Sequence, residues 1–162
     1  MVIKMTELRI TNLNFSYNRK KTVFKDFNLT FGDGITLLLG ANGSGKSTMF
    51  KLICGALIPK SGKIEAFCDG QGISAPKTEI AYIPQNFDVF PSLSVKDVLT
   101  YICGQRGKWL KKEEIKRQVD EAVEIADIGE YVNKKMRTLS GGTKQRVGIA
   151  QSVLGNPKII IA

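Results

Sequence analysis

Histidine is absent from the 162 residues, and cysteine occurs only three times. Without an imidazole there is no Ser/His/Asp or Cys/His pair to activate a nucleophile, which excludes that class of covalent hydrolase. Cys54, Cys68 and Cys103 are odd in number, scattered, and outside any C-x-x-C pair, so they indicate neither a zinc site nor a disulfide framework. They read as buried or free thiols of a reducing compartment. No apolar run approaches the roughly 18 to 20 residues that span a bilayer, and "MVIKMTELRI" has no apolar core for a signal peptide. The expected location is therefore cytoplasmic.

Apolar residues make up 43% of the chain and charged residues 24%, the composition of a globular domain whose length suits a single core. The net charge of +9 raises nucleic acid or an anionic surface as partners. The densest basic stretches are Asn18 to Lys21 and Arg106 to Arg117. The second falls on a helical pattern and its approach, which reads as a solvated helix face. No aromatic ladder or nucleic-acid motif accompanies it, so no direct nucleic-acid contact is expected.

The first part of the chain alternates in the manner of strands. Leu8, Ile10, Leu13 and Phe15, then Val23, Phe27, Leu29 and Phe31, flank the polar "NRKK", which predicts a β-hairpin. A strand is expected at Lys63 to Phe67, and another at Ile80 to Ile83, stopped by Pro84. From Ser94 the period lengthens. Val95, Val98, Leu99 and Ile102 predict one amphipathic helix, and Ile115, Val119, Ala122, Val123 and Ala126 a second. A third helix starts at Ser140 and stops at Gly155, before the apolar "PKIIIA", which suits a strand buried on both faces.

The chemistry concentrates in "LLGANGSGKST" (Leu38 to Thr48). Gly40, Gly45, Lys46 and Ser47 have the G-x-x-x-x-G-K-[ST] spacing of a phosphate-binding loop. An apolar run, Gly34 to Gly40, precedes it as an expected strand, and Met49, Phe50, Leu52 and Ile53 follow at helical spacing. Glycines let successive N–H groups point inward, and the helix N-terminus adds its positive dipole end, so a polyphosphate is favoured. Lys46 would reach the β and γ phosphates, and Ser47 would offer its hydroxyl to Mg²⁺. "TLSGGTKQR" (Thr138 to Arg146) repeats the anion-seeking arrangement at a second helix start, a weak signal alone.

Taken together, the two segments resemble the ATP-binding cassette family, the nucleotide-binding domains of ABC transporters, over nearly every residue from Leu8 to Ala162. The resemblance implies an α/β fold: a P-loop NTPase core with a RecA-like parallel sheet, an N-terminal antiparallel β subdomain and an inserted α-helical subdomain. A single ATP-binding domain would span 1–162, with its core in 1–86 and 139–162 and the helical part in 87–138. Gly40, Asn42, Gly43, Ser44, Gly45, Lys46, Ser47 and Thr48 would form the Walker A loop around ATP. Tyr17 sits where the family places its adenine-stacking aromatic. "YIPQ" looks like the Q-loop, so Gln85 would help hold Mg²⁺ and the attacking water; it and Lys46 are the expected catalytic groups. Ser140, Gly141 and Gly142 resemble the family signature that touches the γ-phosphate held by a partner subunit. That implies a head-to-tail homodimer or heterodimer closed by ATP.

Two departures stand out. The signature's usual fifth residue is Gln and here it is Thr143. The run "NPKIIIA" looks like the Walker B strand, and the sequence stops at Ala162, where the family continues with an Asp for Mg²⁺ and a Glu base. Loss of one general base costs about 10² to 10⁴ in rate, so nucleotide binding is expected to exceed turnover. The leading expectation is the ATP-binding subunit of an ABC transporter, peripheral at the cytoplasmic face of the membrane and coupled to a separate integral-membrane subunit. The alternatives are a non-transport ATPase of the same family acting on nucleic acid or ribosomes, or a nucleotide-binding chain without hydrolysis.

Overall fold

The computed structural model describes residues 6–18, 21–72, 79–106 and 110–162. Arg19 and Lys20 of the expected turn, and Lys108 of the basic stretch, lie outside the described residues. The chain divides into two compact units, Met1–Lys77 and Thr78–Ala162.

The first unit is built on the expected hairpin. Strands β1 (Thr6–Asn18) and β2 (Lys21–Phe31) pair antiparallel, with Ile10 opposite Leu29 and Leu13 opposite Phe27. Strand β3 (Ser61–Cys68) pairs with the other edge of β1, and the short β4 (Gln71–Gly72) completes the order β2-β1-β3-β4. Alternation buries Leu8 and Ile10, and resumes one residue out of phase with Leu13 and Phe15; Phe24 and Ala66 are buried with them. The pairing is irregular after Ile10, and polar side chains satisfy the freed backbone. The Asn12 N–H donates to Asn28 Oδ1 at 2.8 Å, and the Asp26 N–H to Asn14 Oδ1 at 3.0 Å. Gly62 faces this bulge at φ +90, and a Cβ there would stand 2.4 Å from the Asn12 carbonyl oxygen, so only glycine fits. Helix α1 (Lys46–Ile53) buries Thr48, Met49, Leu52 and Ile53.

One expected element does not form. The run Gly34–Gly40 belongs to no ladder, and Ile35, Leu37 and Leu39 are exposed. Its alternating apolar side chains suit a strand, but a parallel strand exists only with hydrogen-bonded neighbours, and none of the described residues pairs with it. The second unit holds the parallel pair instead: β5 (Ile80–Tyr82) aligns with β6 (Ile159–Ile161), Ile80 opposite Ile159. Strand β6 is less buried than expected, because Ile161 is buried while Ile160 is about half exposed.

The α-helices of the second unit among the described residues are α2 (Val95–Arg106), α3 (Lys112–Ile125) and α4 (Gly141–Val153). Helix α2 is opened by Ser94, whose Oγ accepts the Asp97 N–H at 3.1 Å while its own N–H donates to Asp97 Oδ2 at 3.4 Å, a reciprocal cap. The apolar stripes meet in one core. Val95, Val98, Leu99 and Cys103 from α2, Val119 and Ala122 from α3, and Val147 and Ala150 from α4 are all buried in a single cluster. The C-terminal end of α4 is satisfied by its neighbours. Arg106 Nη1 donates to the Leu154 carbonyl at 3.1 Å, and Gln118 Oε1 accepts the Gly155 N–H at 3.0 Å.

Candidate functional site

The phosphate loop is assembled by the turn that precedes α1. The Ser44 N–H donates to the Ala41 carbonyl at 3.2 Å, and Gly43 adopts φ +83. Gly45 caps the helix at φ +99 and ψ 0, a left-handed conformation that a side chain resists. Space forbids one as well. A Cβ on Gly45 would lie 3.1 Å from Val23 Cγ1 and 3.2 Å from Phe24 Cζ, so the loop rests directly on β2. At Gly40 a Cβ would come within 2.9 Å of Ser44 Oγ.

Lys46 folds across this loop. Its Nζ donates to the Gly40 carbonyl at 2.5 Å and to the Ala41 carbonyl at 3.0 Å, which leaves one of its three N–H donors for an anion. Ser47 is exposed at the start of the helix, whereas Thr48 beside it is buried. Tyr17 is brought to the same place: its hydroxyl lies 3.0 Å from Thr48 Oγ1, and its ring packs edge-on against Phe15, centroids 5.1 Å apart. The residue stays half exposed beside the loop. Tyr17, the glycines, Lys46, Ser47 and Thr48 thus lie together in the first unit.

The other expected residues lie in the second unit. Ser140 caps α4: its Oγ accepts the Thr143 N–H at 3.2 Å and lies 2.8 Å from Thr143 Oγ1. Gly141 and Gly142 follow in the first turn with ordinary negative φ, and a Cβ at either would meet nothing within 4 Å among the described residues. Each glycine costs a helix interior about 1 kcal/mol relative to alanine, and the packing within this chain requires neither. Gln85 is exposed in the bend after β5. Gln145 Nε2 donates to the Pro84 carbonyl at 3.3 Å, which links this bend to α4. No local pattern assigns Lys144 and Gln145 a role, because their partners lie 56 and 61 residues away.

Among the described residues no three carboxylate, thiolate or imidazole groups cluster to hold a metal ion. Burial pushes the Cys54 thiol up to about 11 and also raises that of Cys103, which keeps both in the unreactive thiol form. No helix among the described residues is long and apolar enough to cross a membrane.

Comparison with known proteins extends the match far beyond the loop. The family described as "ABC transporter" matches residues 24–162. The oligosaccharides import ATP-binding protein MsmX of Bacillus subtilis is 31% identical over 161 residues, covering 97% of this chain and 43% of that protein. The energy-coupling factor transporter ATP-binding protein EcfA1 of Leuconostoc mesenteroides is 36% identical over 159 residues, covering 95% of this chain and 57% of that one. Among solved structures, cbiO1 from Clostridium perfringens, part of the ABC transporter complex cbiONQ, aligns with a TM-score of 0.76 and 30% identity over 94% of this chain and 63% of its own. The chain spans about half the length of the curated relatives it matches. The antiparallel sheet, the parallel strand pair and the four α-helices among the described residues are the mixed α/β content of the P-loop NTPase fold. With the phosphate loop assembled and the match continuous from Phe24 to Ala162, the chain belongs to the ABC transporter family.

Proposed function

We propose that this chain is the ATP-binding part of an ABC transporter, taking ATP on the 40–48 loop and passing the free energy of binding and hydrolysis to a separate membrane subunit. The observation that carries this reading is the loop itself, a left-handed Gly45 at the start of α1 with Lys46 lying across Gly40. In this reading the loop N–H groups, the helix dipole and the Lys46 ammonium would converge on the triphosphate. Tyr17 offers its exposed ring to adenine. Ser47 and Gln85 would hold Mg²⁺, which neutralises phosphate charge and helps position the leaving group. In this reading 1–86 and 139–162 form the catalytic core, 87–138 forms the helical subdomain, and the assembly lies at the cytoplasmic face of the membrane.

Ser140, Gly141 and Gly142 would meet the γ-phosphate held by a second ATP-binding domain, head to tail. The open space around both glycines supports this: their lack of side chains gains nothing inside the chain and leaves the helix N-terminus approachable. Sedimentation of the intact chain with ATP tests it. ATP is expected to convert monomer to dimer, and Ser140→Arg to bind ATP while remaining monomeric. A Ser140→Arg protein that still dimerises with ATP would remove the signature segment from the interface.

A further inference from the structure

The loop that carries Gln85 has little backbone support of its own. The β5 ladder ends at Tyr82, with one further bond from the Ile83 N–H to the Ile161 carbonyl at 2.8 Å. Beyond that point the segment is fastened by side chains of α4. Gln151 Nε2 donates to the Tyr82 carbonyl at 2.8 Å, and Gln145 Nε2 to the Pro84 carbonyl, the acceptor of the peptide unit that leads into Gln85. Lys144 Nζ pairs with Asp88 Oδ1 at 2.9 Å; the Lys144 side chain is about one-fifth exposed and that of Asp88 about two-thirds. Between these bonds the buried Phe87 packs against Gly148, where an added Cβ would stand 3.2 Å from the Phe87 Cβ and 3.3 Å from its Cγ.

Lys144, Gly148 and Gln151 recur at i, i+4 and i+7, so they share one face of α4, and Gln145 flanks it. An isolated ion pair at a surface holds little. Four attachments spaced along one rigid helix restrict the loop as a unit, because releasing it requires breaking them together. The same helix begins at Ser140. A displacement of α4 therefore carries both its N-terminal signature and the Gln85 loop.

We infer that Lys144 and Gln145 are positioning residues that clamp the Gln85 loop to the signature helix, so that the metal-side and the partner-facing phosphate contacts move as one body. The inference rests on the ATP-binding reading above for its consequence, and on the four contacts for its existence. Neither residue would touch nucleotide.

Hydrogen exchange followed by mass spectrometry on the intact chain, with and without ATP, separates the two levels. In the double variant Lys144→Met/Gln145→Leu, amides of 83–88 are expected to exchange on the order of tenfold faster, while those of 95–106 and 112–125 keep wild-type rates. ATP should still protect 40–48 in that variant but no longer protect 83–88 and 140–146 together. Asp88→Lys alone should loosen the loop, and Asp88→Lys with Lys144→Asp should restore it, a rescue that a merely destabilised fold would not give. Unchanged exchange at 83–88 in the double variant, or a reversed pair as loose as its single substitutions, would overturn the clamp. Absence of ATP protection at 40–48 in the wild type would overturn the ATP-binding reading instead, and the ligand-free rates would still decide the clamp.

Discussion

The hydroxyl of Tyr17 meets Oγ1 of Thr48 at 3.0 Å, tying the end of the hairpin's first strand to the first turn of the helix behind the phosphate loop. Thr48 is buried and Tyr17 half exposed, so the bond fixes the hydroxyl end of the ring while about half of the residue stays open. A stacking residue needs a fixed plane and a free face.

Two substitutions at Tyr17 therefore separate ring from hydroxyl. Tyr17→Ala is expected to weaken ATP binding by about 1 to 3 kcal/mol, the usual range for stacking on a base, while leaving inorganic triphosphate unaffected. Tyr17→Phe keeps the face and is expected to lose chiefly stability, about 0.5 to 1.5 kcal/mol for one hydrogen bond. Calorimetric titration with both ligands checks this; equal losses for ATP and triphosphate would make Tyr17 purely structural.

Acid sensitivity is expected at α3. Glu114 receives Arg117 Nη2 and Nε at 2.7 and 3.0 Å and Gln118 Nε2 at 2.7 Å, and these bonds pull its carboxyl down to about 2. Because the folded value lies below the ordinary 4.5, this carboxylate favours the folded state above about pH 4.5, and its contribution disappears as pH falls toward 2. A carboxyl resonance titrating near 2 would bear this out, and Glu114→Gln should flatten the stability profile over that interval. A Glu114 midpoint at the ordinary value would contradict the geometry.

The hairpin and the three later helices could be read from the sequence because each follows a local period. Leu8 with Ile10, and Leu13 with Phe15 past the irregularity at Asn12, alternate as strand residues do, and Val95, Val98 and Leu99 share a helix face; all seven are buried, while Ile102 of the same expected stripe is only partly buried. The phosphate loop was legible for a different reason: its geometry depends on glycines whose need is local, as the left-handed Gly45 shows. What could not be read depends on partners distant in sequence. Ile35, Leu37 and Leu39 carry a strand's alternation without a ladder, because pairing is decided by neighbours and not by the run itself. The attachment of Tyr82, Pro84 and Asp88 to α4 spans 56 to 69 residues, and no periodicity announces it.

Nucleotide capture by the 40–48 loop is tested most directly by titrating ATP into the intact chain and into Lys46→Ala under identical conditions. The Lys46 ammonium supplies a charge-assisted bond of about 1.5 to 3 kcal/mol, so one ATP should bind the wild type at least tenfold more tightly than the variant. Equal affinity in the two proteins would contradict the assignment of this loop as the phosphate site.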